Sequence, residues 1–147
     1  MIGLVEGALA MNPSFARGWY VSGHLRVFAG LHDLAIEHLE TSLRLSPRER
    51  VGAPLIAMGQ AYFFQRQFDK AAAKLVLAIQ DSPGHPSPHR ALAACYALMG
   101  RLDEARTTVA RLRAITADLV PIKVPWRNPD DRAMYLLGIR LAAGEKI

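Results

Sequence analysis

Residues Gly30–Pro47 read GLHDLAIEHLETSLRLSP, and residues Arg66–Pro83 read RQFDKAAAKLVLAIQDSP. The two stretches put small, bulky and proline residues into the same slots, and a third, looser copy follows. With Gly30, Arg66 and Gly100 in one column, Asp33, Asp69 and Asp103 coincide, as do Ala35, Ala71 and Ala105. Four residues on, Leu39, Leu75 and Val109 coincide; Ser42, Ala78 and Leu112 share the next column. Pro47 and Pro83 close the first two copies, with Ala117 in that place in the third. The steps are 36 and then 34 residues. Upstream, Trp19, Leu55 and His89 align, then Gly23, Gly59 and Ala93, then Arg26, Tyr62 and Tyr96.

Spacings of three and four keep each set on one face of a helix. Small residues at Gly23, Gly59 and Ala93, and at Ala35, Ala71 and Ala105, let two helices approach closely while bulky neighbours fill the seam. One such hairpin cannot bury its apolar face alone, so consecutive hairpins stack. An unrelated amphipathic bundle would not hold small residues in register at this period.

The columns resemble the tetratricopeptide repeat, whose pattern is W-x2-L-G-x2-Y, then A-x3-F, then P. The first unit reads Trp19-x2-Ser22-Gly23-x2-Arg26, Ala35-x3-Leu39, Pro47; the second reads Leu55-x2-Met58-Gly59-x2-Tyr62, Ala71-x3-Leu75, Pro83. The third reads His89-x2-Leu92-Ala93-x2-Tyr96, Ala105-x3-Val109, Ala117. The resemblance implies an all-α fold, a right-handed superhelical solenoid of antiparallel helix hairpins with a C-terminal capping helix. Residues 1–13 are expected to form the second helix of an incomplete repeat, because Ala8 and Pro13 fall in the columns of Ser42 and Pro47. Repeats are expected over 14–49, 50–85 and 86–119, and a connector with a capping helix over 120–147. The half hairpin leaves an apolar face bare, a route to a homodimer.

Helix-start chemistry refines the phasing. Ser87-Pro88 predicts an N-cap and first helical residue, and Ser46 with Glu49 has capping-box spacing. Pro54 predicts a late start for the first helix of the second unit. Asn128-Pro129 predicts a final helix with Asp130 and Asp131 against its positive end. Met134, Leu137 and Leu141 form one apolar stripe on that helix, Gly144 is its stop, and Trp126 is expected to pack where it covers the end of the third hairpin.

Little in the sequence points to catalysis. It has no phosphate-cradling glycine loop, HExxH, CxxC or GxSxG. His85 and His89 in HPSPH are too few ligands for a metal, and His89 stands in the tryptophan column, where packing explains it. Cys95 lies among alanines as a small core residue, and one cysteine excludes an internal disulfide framework. No cofactor or metal is expected. The net charge of +5 favours acidic partners, but charge alone argues weakly for nucleic acid. The N-terminus lacks the basic region of a signal peptide, and no apolar run reaches the ~18 residues of a membrane span. A cytoplasmic, soluble chain is expected.

In tetratricopeptide repeat proteins the first helices of successive hairpins line a concave groove that holds peptides or partner helices. Transferred onto this sequence, that register gives Arg17, Tyr20, His24 and Val27 from the first unit. It gives Gln60 and Phe63 from the second, and Arg90 and Ala94 from the third. Phe28, Phe64 and Leu98 fall in the same register as packing residues. Arg17 and Arg90 are suited to carboxylates on a partner. The carboxylate clamp of chaperone-binding members is missing, since its places hold Tyr20, His24, Ile56, Arg90 and Ala94.

A narrower resemblance rests on ALAMNPSFARGWYVSGHLRVFAGLHDLAIEHLETSLRLSPRE, ALAACYALMGRLDEARTTVARLR and WRNPDDRAMYLLGIRLAAGE. These runs are similar to the C-terminal repeat region of alphaproteobacterial class III adenylate/guanylate cyclases. That resemblance implies a non-catalytic interaction or regulatory region of a bacterial signalling protein, with nucleotide cyclisation assigned to a domain outside these residues. The alternative is a structural or homodimerisation module with no groove ligand.

Overall fold

The computed structural model describes residues 1–121 and 123–146. Those residues form eight helices and no strand. Helix α1 (Ile2–Met11) is followed by three antiparallel hairpins: α2 (Ala16–Ala29) with α3 (His32–Leu45), α4 (Gly52–Phe64) with α5 (Phe68–Asp81), and α6 (Pro86–Leu98) with α7 (Leu102–Ile115). Helix α8 (Pro129–Ala142) ends the chain. Each hairpin packs on the next through its first helix, α3 on α4 and α5 on α6, and α1 packs on α2.

The repeated columns are the seams of the hairpins. A Cβ placed on Gly23 would stand 2.6 Å from Leu39 Cγ, and one on Gly59 would stand 2.6 Å from Leu75 Cγ. Leucine and glycine therefore nest as a pair, and burying each leucine contributes about 1.5–3 kcal/mol. In the third hairpin Ala93 meets Val109 instead, and the shorter branched side chain accommodates the extra methyl. Ala35, Ala71 and Ala105 are fully buried on the facing helices.

The turn column has a backbone cause. Gly30, Arg66 and Gly100 have φ of 82°, 60° and 77°. Each turn ends a helix in the left-handed region, where glycine carries no Cβ penalty, and Arg66 adopts it at a cost. The aspartate column sits in the first turns of α3, α5 and α7, against the positive ends of their dipoles.

Three helix starts differ from the sequence reading. Helix α6 begins at Pro86, and His85 is its N-cap, accepting from the Ser87 N–H at 3.3 Å. Two prolines fit because both lie in the first turn, where backbone N–H groups lack helical partners. Ser46 closes α3, and its hydroxyl donates to the Glu49 carbonyl at 3.4 Å, so no capping box forms. Helix α4 starts at Gly52, which leaves Pro54 inside its first turn. By contrast Asn128 caps α8 as its chemistry predicts, accepting the Asp130 N–H at 2.8 Å, and Gly144 takes φ of 87° beyond its end.

Candidate functional site

Helices α2, α4 and α6 lie side by side and form the concave face. The chain's own C-terminal segment lies across part of it. The Arg127 N–H donates to the Phe28 carbonyl at the end of α2 (2.9 Å), and His32 Nε2 meets Asp131 Oδ2 at 2.8 Å. Trp126 stands against Phe64 and Tyr135, with ring centroids 5.1 and 4.4 Å away. Further along α8, Gly138 lies so close to α6 that an added Cβ would be 2.7 Å from that of Ala94. Ala142 joins Ala93, Ala97, Ala105 and Val109 at the seam of the third hairpin.

Helix α8 thus runs from the turn of the first hairpin to the seam of the third. Its C-terminal end caps the solenoid as expected, but Trp126 packs at the first and second hairpins rather than the third. The buried face of α8 is Asp131, Tyr135, Gly138, Ile139 and Ala142. The predicted stripe is turned away, with Leu137 exposed. Close contact with α6 selects the face carrying Gly138, not the one richest in leucine.

What remains open is a channel in two connected parts. A cavity of about 270 Å³ lies between the concave face and the C-terminal segment, with Tyr20, His24, Phe28, Gln60, Arg90, Val124, Trp126 and Tyr135 in its walls. A larger one of about 940 Å³ runs along the starts of α2 and α4, bounded by Arg17, Tyr20, Glu49, Arg50, Asp81 and His85. Tyr20, Ala53, Ile56 and His85 line both.

Sequence profiles of the tetratricopeptide repeat match residues 16–49 and 62–120. The chain is built of tetratricopeptide repeats. No curated protein matches it in sequence. Among solved structures it is similar to a point mutant of MamA at 26% identity, with a TM-score of 0.67 over 78% of this chain and 66% of that one. It therefore spans about two thirds of that relative. A crystal structure of MamA superposes with a TM-score of 0.72 at 19% identity, over 97% of this chain and 85% of that one. YrrB, a tetratricopeptide repeat protein with an unusual peptide-binding site, gives 0.67 at 21% identity, over 97% and 75%. The fold is the right-handed superhelical solenoid of these proteins, and no described helix is long and apolar enough to cross a membrane.

Within these repeats, the groove residues anticipated from sequence divide into two groups. Arg17, Tyr20, His24, Gln60 and Arg90 line the channel. Val27, Phe63 and Ala94 are core: Phe63 packs on Phe64, Phe68 and Tyr135, and Ala94 lies beneath Gly138. They are closed to a partner while α8 is in place. The Arg90 guanidinium is engaged by the Asp118 carbonyl at 2.7 and 3.3 Å. The sequence reading missed Arg50, Glu49 and Asp81, which lie at hairpin junctions outside the first-helix register. It also missed Trp126 and Tyr135 as channel walls, which only the return of α8 brings there.

Burial lowers the pKa of His24 below its ordinary value, so the ring stays neutral near pH 7, while burial raises that of Tyr20 against the opposing charge of Arg17. The Cys95 thiol is pushed up to about 12 by burial and donates to the Phe68 carbonyl at 3.2 Å. It is a core side chain rather than a nucleophile. His89 is buried and bonded to the His85 carbonyl at 2.9 Å, as packing in the tryptophan column requires. The channel presents guanidinium, imidazole, phenol and carboxylate groups on apolar walls, an arrangement for holding rather than transforming a ligand.

Proposed function

We propose that the chain is a non-catalytic protein-interaction scaffold that holds an extended peptide in the larger part of its channel. The observation that carries this reading is the two-part channel itself. Its open half lies beside the starts of α2 and α4, with Arg17, Tyr20 and Arg50 along it. Arg17 and Arg50 supply charge for partner carboxylates, and Tyr20 supplies a broad apolar contact with a polar tip. Binding of an extended-peptide library by fluorescence polarisation tests it. Loss of binding in Arg17→Glu and Tyr20→Ala supports the channel; unchanged binding in both refutes it.

The finer reading follows the cyclase resemblance: these repeats serve as the C-terminal regulatory region of a bacterial, cytoplasmic signalling protein. A cyclase domain in the same reading frame upstream supports this, and a stop codon directly before Met1 removes it. The alternative, a homodimerisation module, is favoured by the exposed Leu4 and Met11 on α1. Light scattering decides it, since a strict monomer at high concentration counts against it.

A further inference from the structure

The smaller cavity has a chemical character that the larger lacks. Among the described residues, five buried side-chain atoms have no hydrogen-bond partner: His24 Nδ1, Arg26 Nε, His32 Nδ1, Gln60 Oε1 and Trp126 Nε1. Two of these belong to side chains paired through another nitrogen, Arg26 with Glu6 and His32 with Asp131. The other three belong to His24, Gln60 and Trp126, and all three residues line the same cavity of about 270 Å³. Gln60 is 6% exposed and Trp126 is 4% exposed. Buried polar groups in folded proteins are nearly always satisfied, by protein, water or ligand. Three unsatisfied side chains in one cavity define a polar specification on otherwise apolar walls, those of Phe28, Ile56, Val124 and Tyr135.

The specification is two-sided. The Trp126 indole can only donate, the Gln60 oxygen can only accept, and His24 does either according to its tautomer. The complementary ligand carries an acceptor and a donor close together on an apolar body. A main-chain amide beside an aliphatic side chain has that composition, whereas a carboxylate offers no donor and a hydrocarbon offers neither.

We propose that this cavity is an anchor subsite for one main-chain amide and its apolar side chain, within a peptide that continues into the larger part of the channel. The inference rests on the peptide-holding reading above and names the group that fixes the peptide's register. His24 and Gln60 come from the repeats, and Trp126 from the C-terminal segment. The subsite therefore exists only while α8 is docked, and the C-terminal segment is part of the binding surface rather than an obstruction to it.

The test uses the full chain labelled at nitrogen, with its two indole N–H signals. Trp19 Nε1 donates to the Pro13 carbonyl at 2.8 Å outside the channel and serves as the internal control. The probes are N-isopentylacetamide and isopentyl acetate, an amide and an ester of one shape. The amide is expected to move the Trp126 signal saturably and leave Trp19 still. The ester, which cannot donate to Gln60, is expected to bind about 2- to 10-fold more weakly. Gln60→Leu removes that preference; its removal of an unpaired amide also makes it a variant that should fold. An unmoved Trp126 signal means that water alone fills the cavity and overturns the proposal. Equal binding of amide and ester, or a preference that survives Gln60→Leu, overturns it too.

A blocked pentapeptide of glycine with one central leucine distinguishes the source. It is expected to bind about tenfold tighter than the small amide, and no gain would make the ligand a free amide and refute the peptide. A peptide that binds the larger cavity while Trp126 stays still defeats the subsite and leaves the scaffold reading standing. Failure of every peptide defeats both.

Discussion

The two ends of this solenoid are finished in opposite ways. At the N-terminal end, α1 is held through Leu9, which packs against Gly18, and through the ion pair of Glu6 with the buried Arg26 at 2.5 Å. The rest of α1 is bare: Leu4 is 77% and Met11 90% exposed. Its Val5 occupies the column of Leu39, which is fully buried in a complete hairpin. At the C-terminal end, α8 is wedged along α6 by Tyr135, Gly138, Ile139 and Ala142, and its start is tied to the first hairpin by His32 and Asp131. One terminal helix adds a face to the molecule, and the other closes one. The lesson is that stacking alone does not decide how a repeat array ends. The array ends cleanly where a terminal helix finds both a groove to enter and a small residue with which to enter it.

That contrast can be broken most forcefully at Tyr135. Tyr135→Ala empties the contact between Phe63, Trp126 and the α8 backbone and is expected to cost about 3–5 kcal/mol, read by urea unfolding. A loss near zero would mean that α8 is not docked in the concave face. Gly138→Val tests the wedge itself. Its side chain would collide with Ala94, and overpacking of this kind costs about 1–3 kcal/mol. Ala71→Phe, in the seam of the second hairpin, belongs to the same class and the same range. A wild-type melting temperature for it would mean that the repeat register is wrong.

A pH series sharpens the comparison further. His24, in the covered part of the channel, and His38, near the N-terminal end, both have pKa values lowered by burial, His38 also by the charge of Arg26. A base with a lowered folded pKa takes up its proton more readily once unfolded. Stability is therefore intact above the unfolded value near 6.5 and is lost as pH falls below it. His24→Leu is expected to flatten part of that acid limb in a pH series of urea melts, leaving the share of His38. An unchanged limb would show that the C-terminal segment does not bury His24. The smallest effect belongs to the bare end, where Leu4→Gln is expected to change stability by no more than about 0.5 kcal/mol. A larger loss would show that α1 is covered in solution.

The hairpins were legible in the sequence because their seams are local. Gly23 with Leu39 and Gly59 with Leu75 are pairs sixteen residues apart that recur at one period, so three copies reinforce each other. The left-handed turns were visible as a glycine column, although Arg66 breaks it. The site was half legible. Arg17, Tyr20, His24, Gln60 and Arg90 follow from the register of first helices. The docking of α8 does not, because Asp131 meets His32 and Trp126 meets Phe64 once each, with no repeat to average over. The Met134, Leu137 and Leu141 stripe misled for a related reason. Side-chain hydrophobicity favours it, whereas the shape of α6 at Ala94 accepts only the face that carries Gly138. Val27, Phe63 and Ala94 then passed from groove to core, Phe63 and Ala94 directly beneath α8.

The claim on which the channel, the subsite and the contrast between the ends all depend is the position of the C-terminal segment. Nuclear Overhauser contacts from the Trp126 ring measure it directly. The structure predicts cross-peaks to the Phe64 and Tyr135 rings, whose centroids lie 5.1 and 4.4 Å away. Cross-peaks instead to Val109 and Leu112 of α7, with none to Phe64, would place Trp126 at the end of the third hairpin and contradict the account.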